Sequence, residues 1–399
     1  MKRSLIAVAA LAASAAFAQT SVTLYGIADA YVGVEKTVRP DATLPGALPL
    51  LPNGPLSATS APYASNSQSV VNSGGLSRSR IGISVKEDLG NGYNAFTVFE
   101  SGVNTDTGTG TVDPGETSST RVAVVGFGTP VGKFSIGRQT TPMKDAAEKF
   151  TDAQADSAFT AIRASANSLT GRPFAPRINN SIRYDVPEND MNLRGAIAVG
   201  TLDAADKTLG ISDRVVSASL GYIVPGKFGI GISHQVEKNV QTLLDDAARP
   251  GGVVTEGGNK ATVTYVSSGF ATPVGKVNFG FGEGKIGGVT GKDKGWNLGL
   301  TIPLDAFTFI AQVSEFKASG ELANLYNTSN RYSATPTVGP LAGVGIRSGA
   351  AKRTSLGLEG HYALSKRTTA YVGYNNTKNL GGIKDAKYQL FGVGVRHVF

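Results

Sequence analysis

Three arginines stand in short segments that alternate polar and apolar residues: Arg80 in SRSRIGISV, Arg121 in STRVAVVGF and Arg183 in NNSIRYDVP. Four carboxylates, Asp145, Glu148, Asp152 and Asp156, recur at spacings of three and four within PMKDAAEKFTDAQAD, so that on a helix they share one face. Guanidinium groups on one set of elements and carboxylates on another suit a charge filter, a transverse field that orients dipolar solutes and sorts ions by sign. Residues for covalent or metal chemistry are sparse. There is no cysteine, which excludes disulfides and thiolate metal sites. The three histidines, 234, 361 and 397, lack metal-ligand spacing. His361 has an acid, Glu359, two residues away, but on a strand such neighbours merely share a face, and nothing supplies the serine–histidine–acid order of a hydrolase. The glycine-rich FGEGKIGG precedes no helix and is no dinucleotide loop. No catalytic residue, metal site or cofactor is expected, and the chain does not read as an enzyme. The net charge of +8 is spread along the sequence with no basic block interleaved with aromatics, which argues against nucleic acid.

The elements that must position these charges are strands. Residues 1–18, MKRSLIAVAALAASAAFA, have the basic start, short apolar run and small-x-small end of a cleaved signal peptide, leaving 19–399 as one domain. In that domain a period of two recurs through sixteen candidate strands: 21–36, 76–89, 93–104, 120–129, 133–141, 179–187, 191–202, 213–224, 227–238, 259–271, 275–286, 293–304, 306–317, 351–364, 368–379 and 386–399. Connections alternate between short turns such as LGNG, TPVGK, PEND and VPGK and longer loops, the longest at 37–75, 142–178, 239–258 and 318–350. This is an up-and-down antiparallel sheet, and closing it removes its edges. About 24 residues per strand and connection is what a tilted spanning strand of ~10 residues with its loop requires. The expected fold is all-β: a sixteen-stranded antiparallel transmembrane barrel with short turns at one rim and long loops at the other.

Alternation says which face is wet. Ile81, Ile83 and Val85 share one face and Arg78, Arg80, Lys86 and Asp88 the other. Ile182, Tyr184 and Val186 oppose Asn179, Ser181, Arg183 and Asp185. In STRVAVVGFG, Val122 and Val124 are assigned outward, sending Arg121 inward. Charge facing lipid is costly, and charge buried dry costs as much, so the charged face lines a water-filled interior. Arg138 shares parity with the outward Phe134 and Ile136: either a bulge resets its face or it meets a protein-covered outer wall. A barrel this wide sieves poorly unless an insertion narrows it. The candidate is 142–178, whose acids would face Arg80, Arg121 and Arg183 across a constriction. A solvated external loop is the rival reading. Phe399, closing QLFGVGVRHVF, shares an outward face with Phe391, Val393, Val395 and His397. It is expected at the short-turn rim, pairing with the first strand near Val22.

The segments SVTLYGIADAYVG, GLSRSRIGISVKEDLGNG, FESGVNTDTG, VGKFSIGRQ, NNSIRYDVP and the terminal GVGVRHVF resemble the general diffusion porins of the Gram-negative outer membrane, specifically the betaproteobacterial porin family. The resemblance spans the mature chain. It implies a homotrimer in the outer membrane, in contact with lipid and lipopolysaccharide, each subunit with its own pore. It further implies a third external loop folded inward, basic wall residues matching Arg80, Arg121 and Arg183, and a terminal signature at Phe399 read by the assembly machinery. The function implied is passive diffusion of small hydrophilic solutes and ions with modest anion preference. A channel of the same fold selective for small anionic metabolites is the alternative, and a barrel adhesin or enzyme a more distant one. The third loop departs from the family pattern in carrying Lys144 and Lys149 among its acids, and the first loop is unusually long and rich in Pro and Leu.

Overall fold

The computed structural model describes residues 20–39, 64–111, 118–150, 153–162, 175–187, 192–201, 214–238, 260–287, 290–320, 352–379 and 387–399. The expected signal peptide, most of the first loop and Asp152 lie outside them.

Among the described residues, seventeen strands form one closed antiparallel sheet. The first, β1 (Thr20–Arg39), is the longest; β2 (Ala64–Ser73) and β3 (Arg80–Gly90) follow, then β4 (Tyr93–Gly102), β5 (Thr120–Thr129) and β6 (Gly132–Thr140). A helix, α1 (Pro142–Phe150), precedes β7 (Arg177–Asp185), β8 (Leu193–Thr201), β9 (Arg214–Val224) and β10 (Phe228–Glu237). The circuit continues through β11 (Ala261–Thr272), β12 (Gly275–Ile286), β13 (Asp293–Leu304), β14 (Phe307–Ala318), β15 (Lys352–Ala363), β16 (Thr368–Lys378) and β17 (Lys387–Val398). The wall nevertheless has sixteen positions. β1 pairs along one flank with β17, while along the other β2 takes its Ala30–Arg39 part and β3 its Thr20–Ile27 part. β2 and β3 are thus one wall strand interrupted at residues 74–79. The sixteen-stranded barrel read from the sequence is the observed fold. The expected loop 37–75 is corrected: ASNSQSVVNS within it is strand. Its serines and asparagines carry no apolar alternation, so pairing with β1 rather than local pattern makes it extended.

Among the described residues no helix is long and apolar enough to cross a membrane; the crossing elements are the strands. Their outward positions form the exposed apolar surface, Leu24 and Val32 on β1 and Val393 and Val395 on β17 among them. Near the short turns this surface becomes aromatic. Phe134 and Tyr184 have ring centroids 4.9 Å apart, Phe307 and Tyr362 4.6 Å, and Tyr93 and Phe127 5.8 Å. Such a girdle marks a membrane interface. The repeated TPVGK turns are the same hairpin: Thr129 and Thr272 each donate from Oγ1 to the carbonyl of the glycine three residues on, at 2.9 and 3.0 Å. Those glycines have φ of 147° and 152°, a region that disfavours a side chain.

The terminal aromatic closes the sheet. Phe399 N–H donates to Gly26 at 3.1 Å and Gly26 N–H donates to Phe399 at 2.9 Å. The ring lies on Gly26 where a Cβ would stand, so the partner position is Gly26 rather than the neighbourhood of Val22. Deleting Phe399 removes two ladder bonds, each worth ~1 kcal/mol net, and the aromatic cover of the seam. The yield of folded barrel is expected to fall severalfold on heat-modifiability gels. Pores that do form should keep wild-type single-channel conductance.

Candidate functional site

The insertion after β6 runs inside the barrel. Residues Pro142–Phe150 form α1, which packs against the inner faces of β8 to β12. Met143 N–H donates to the inward Ser217 Oγ at 3.1 Å. Farther along, Phe159 is fully buried with its ring edge-on to Tyr31 of β1 and Tyr371 of β16. It lies over Gly373, where no Cβ would fit. Around it, Asn375 Nδ2 donates to the Thr160 carbonyl at 2.9 Å, Thr160 Oγ1 to Gln312 at 3.1 Å and Ser314 Oγ to the Ala161 carbonyl at 2.7 Å. These partners are inward-facing wall residues, so this segment is anchored across the lumen.

The broken wall strand supplies another anchor. At the interruption, Asp29 of β1 accepts the backbone N–H groups of Gly75, Leu76 and Ser77 at 2.9 Å each. It also accepts the Tyr371 hydroxyl at 2.5 Å. A fully buried carboxylate is tolerated because its oxygens are this well supplied with donors. The clamp turns the Gly75 carbonyl toward the insertion, where it accepts Ala158 N–H at 2.8 Å and Ser157 Oγ at 3.0 Å.

Asp156, next to Ser157, is thereby set among arginines. Its carboxylate lies 3.2 Å from Arg80, 3.7 Å from Arg78 and 3.7 Å from Arg121. Arg121 also binds Glu100 at 2.8 Å, and Glu100 accepts the Tyr25 hydroxyl at 3.2 Å. A second cluster lies at the start of the insertion: Arg183 meets Asp145 at 2.6 Å and Asp185 at 2.6 Å. Glu148 is taken by Lys144, one helical turn earlier.

These positions correct three expectations. The four acids do not share a helical face, because α1 ends at Phe150 and Asp156 sits in a turn with φ of 68°. Asp145 and Asp156 therefore serve different arginines, Glu148 serves none, and Asp152 lies outside the described residues. Nor do Asp145 and Asp156 face the arginines across a gap; they touch them. Val122 and Val124 do not point outward: Val124 is buried while Val125 and Phe127 are exposed. Arg121 reaches the interior through a bulge, since Glu100 pairs with Val122 and Ser101 with Thr120, leaving Arg121 as the extra residue. Arg138 stays in unbroken register with Ala123 on the outward face. Its guanidinium donates to the Thr120 carbonyl and to Asn179, both at 2.6 Å, Asn179 having left the inward series at a bulge in β7. Glu100, Asp185, Asp29 and Tyr371 escaped the sequence reading as site residues; strand parity marks Glu100, Asp29 and Tyr371 as inward, but nothing local reveals their partners.

His361 Nε2 lies 2.7 Å from Glu359, but Ser157 Oγ is bonded to the other oxygen of that carboxylate at 2.5 Å. The acid stands between hydroxyl and imidazole, so the histidine cannot take the serine proton. Among the described residues no group of three or more His, Asp or Glu is placed to hold a metal ion.

Burial by itself would raise the Asp156 carboxyl, yet Lys144, Arg78, Arg121 and Arg80 hold it well below the usual carboxylate range. Its ionic tether is therefore complete above the ordinary carboxylate pKa and is lost only as pH falls through the lowered folded value. Asp156→Asn is expected to make the open current noisier and to raise the anion-to-cation permeability ratio about threefold. That corresponds to one charge about 7 Å from the ion path in a water-like medium, shifting anion and cation in opposite directions and screened to about half by ~0.1 M salt. Acidifying the wild type from pH 7 to pH 4 should not reproduce the noise.

The sequence model of the Gram-negative porins matches residues 5–382. An outer membrane porin protein of Bordetella pertussis is 27% identical over 423 residues, covering all of both chains. The fold is similar to that of the anion-selective porin from Comamonas acidovorans, with a TM-score of 0.67 at 18% identity over 96% of this chain and 100% of that one. It is also similar to OmpF of Salmonella typhi, with a TM-score of 0.57 at 15% identity over 95% and 97%. A closed barrel with a charged, loop-crossed interior and a match over nearly its whole length places the chain in the Gram-negative porin family, outer-membrane β-barrels that conduct ions and solutes.

Proposed function

We propose that this porin is a homotrimeric general diffusion channel of the betaproteobacterial kind, exported by the signal peptide at 1–18. In this reading it passes small hydrophilic solutes and ions with a modest preference for anions. The constriction is formed by Arg80, Arg121 and Arg183 on the wall and by Asp145, Glu148, Asp152 and Asp156 on the insertion. Outer-leaflet lipid and lipopolysaccharide surround it, and no cofactor takes part. Phe399 serves as its assembly signature. The motifs LYGIADA, EDLGNG and IGRQ support the subfamily.

The observation that carries the anion preference is the gathering of Arg78, Arg80 and Arg121 around Asp156, which brings three guanidinium groups to one part of the interior. A weak preference rather than strict selection follows, because Arg183 is met by both Asp145 and Asp185. The same arginine cluster favours the second reading, a channel selective for small anionic metabolites. Block of single-channel current that saturates with a carboxylate or phosphate solute would single out that reading.

Reversal potentials of purified protein in planar bilayers under a tenfold salt gradient test the proposal. Wild type is expected to favour anions. Arg80→Gln, Arg121→Gln and Arg183→Gln should each lower the permeability ratio by about twofold to threefold, as one screened charge near the ion path predicts. Unchanged ratios in all three variants would remove these residues from the constriction.

A further inference from the structure

Inward apolar side chains elsewhere on the wall are gathered under the insertion: Val263 and Tyr265 cluster with Met143 and Ile162, and Tyr31 and Tyr371 with Phe159. β4 and β5 depart from this. Their inward positions bring Phe96, Val98, Val122 and Val124 together. Val98 pairs directly with Val124, Phe96 stands one inward step nearer the short turns, and Val122 one step nearer the long loops. The four belong to none of the clusters under the insertion. Val124 is buried, while Phe96, Val98 and Val122 are only half-buried on the wet side of the sheet. Scattered apolar side chains facing water need no explanation, but a contiguous group points to something that covers it.

Two cations flank this strip on its short-turn side. Lys86 of β3 pairs directly with Phe96. Lys133 of β6 reaches back over the Phe96 ring, its Nζ 4.4 Å from the centroid. The ring can lie there because the residue opposite Phe96 on β5 is Gly126, where a Cβ would collide with it. Both lysines are exposed, and neither joins an ion pair among the described residues. Arg80, Arg121 and Arg183 differ, each being met by carboxylates. Asp88, the inward acid next along β3, accepts the Gly90 N–H at 2.9 Å in the turn. The strip thus offers apolar surface beside unpaired positive charge at one end, with the paired arginine cluster at the other. One inward step along a strand is two residues, about 6.6 Å at ~3.3 Å per residue, the span of a six-membered ring bearing a carboxylate.

We propose that this strip is a binding station for monocarboxylates that carry a compact apolar ring, the carboxylate met by Lys86 and Lys133 and the ring laid against Val98 and Val124. The proposal rests on the channel reading above and names the class of anion that lingers in the channel. An ammonium–carboxylate contact in water is weak by itself, so a small acid without a ring passes. The ring adds the burial of apolar surface on both partners. A second anionic group on the solute would instead be set against the valines and lose its hydration, which favours a single charge at one end.

Single-channel currents of the purified full-length protein in planar bilayers test it, with benzoate and acetate as probes in a chloride electrolyte. Benzoate should block saturably, at a half-blocking concentration about tenfold or more below that of acetate, the order expected when a ring face leaves water. Val98→Ser should raise the benzoate value about fivefold by removing apolar contact. The double variant Lys86→Gln, Lys133→Gln should also raise it about fivefold by removing two exposed charge contacts. The variant Lys86→Arg, Lys133→Arg should be blocked like wild type. So should Lys366→Gln, Arg367→Gln, which removes the same charge from the turn between β15 and β16. If Val98→Ser does not fold on heat-modifiability gels, the isosteric Val98→Thr carries the test, with a smaller rise in the same direction. Equal block by acetate and benzoate would overturn the proposal, as would benzoate block unchanged by the Val98 substitution or by the double Gln variant. Conductance separates the layers: a conducting wild type with no preference for benzoate sinks this inference alone, whereas absent conductance sinks the channel reading and this inference with it.

Discussion

The hydrogen-bond ladder between β1 and β17 is the constraint on which the rest of the molecule depends. A sheet in lipid has no water to satisfy an open edge, so the first and last strands must find each other. That closure asks more of β1 than of any other strand. It pairs with β17 from Ile27 to Val38 on one flank, and with β2 and β3 on the other. Its inward residues Asp29 and Tyr31 then hold the interruption between β2 and β3 and the buried Phe159 of the insertion. Closing the sheet and crossing the lumen are therefore coupled through one strand and its partner Tyr371, which touches both Asp29 and Phe159.

Strand alternation made the wall legible in the sequence because burial is tested at every second residue. Leu24, Ala28 and Val32 fall outward and Asp29 and Tyr31 inward, as their parity demands. Parity fails where the ladder slips. Arg121 has the inward position expected of it, but for a different reason: its neighbours Val122 and Val124 lie on the wet side and the bulge turns the arginine in. A bulge leaves no mark in a single sequence when no glycine announces it. β2 was missed for a related reason. Its segment is serine- and asparagine-rich, and only the long reach of β1 gives it a partner.

The insertion was legible only in outline. Its length and its acids suit an inward fold and a solvated external loop equally, and only the family resemblance favours the first; the spacing of the acids suggests a helical face that the backbone abandons after Phe150. What places Asp156 is not helical period. It is the hydrogen bonding of the next two residues, Ser157 and Ala158, to the Gly75 carbonyl, which depends in turn on Asp29 far away in sequence. A chain of contacts at such separation has no local signature.

That chain also separates two tasks. The segment after α1 is held by largely uncharged contacts: Phe159 between Tyr31 and Tyr371, Thr160 on Gln312, Asn375 on backbone carbonyls. The ion pairs at Asp156 and Arg183 add to this hold but do not carry it alone. Partly solvated ion pairs are individually weak and screened by salt, whereas a buried aromatic ring and buried neutral hydrogen bonds are not screened. A channel wall bathed in salt cannot rely on its charges for rigidity. With the insertion secured by apolar and neutral groups, losing an ion pair at Asp156 or Arg183 leaves the segment across the lumen in place.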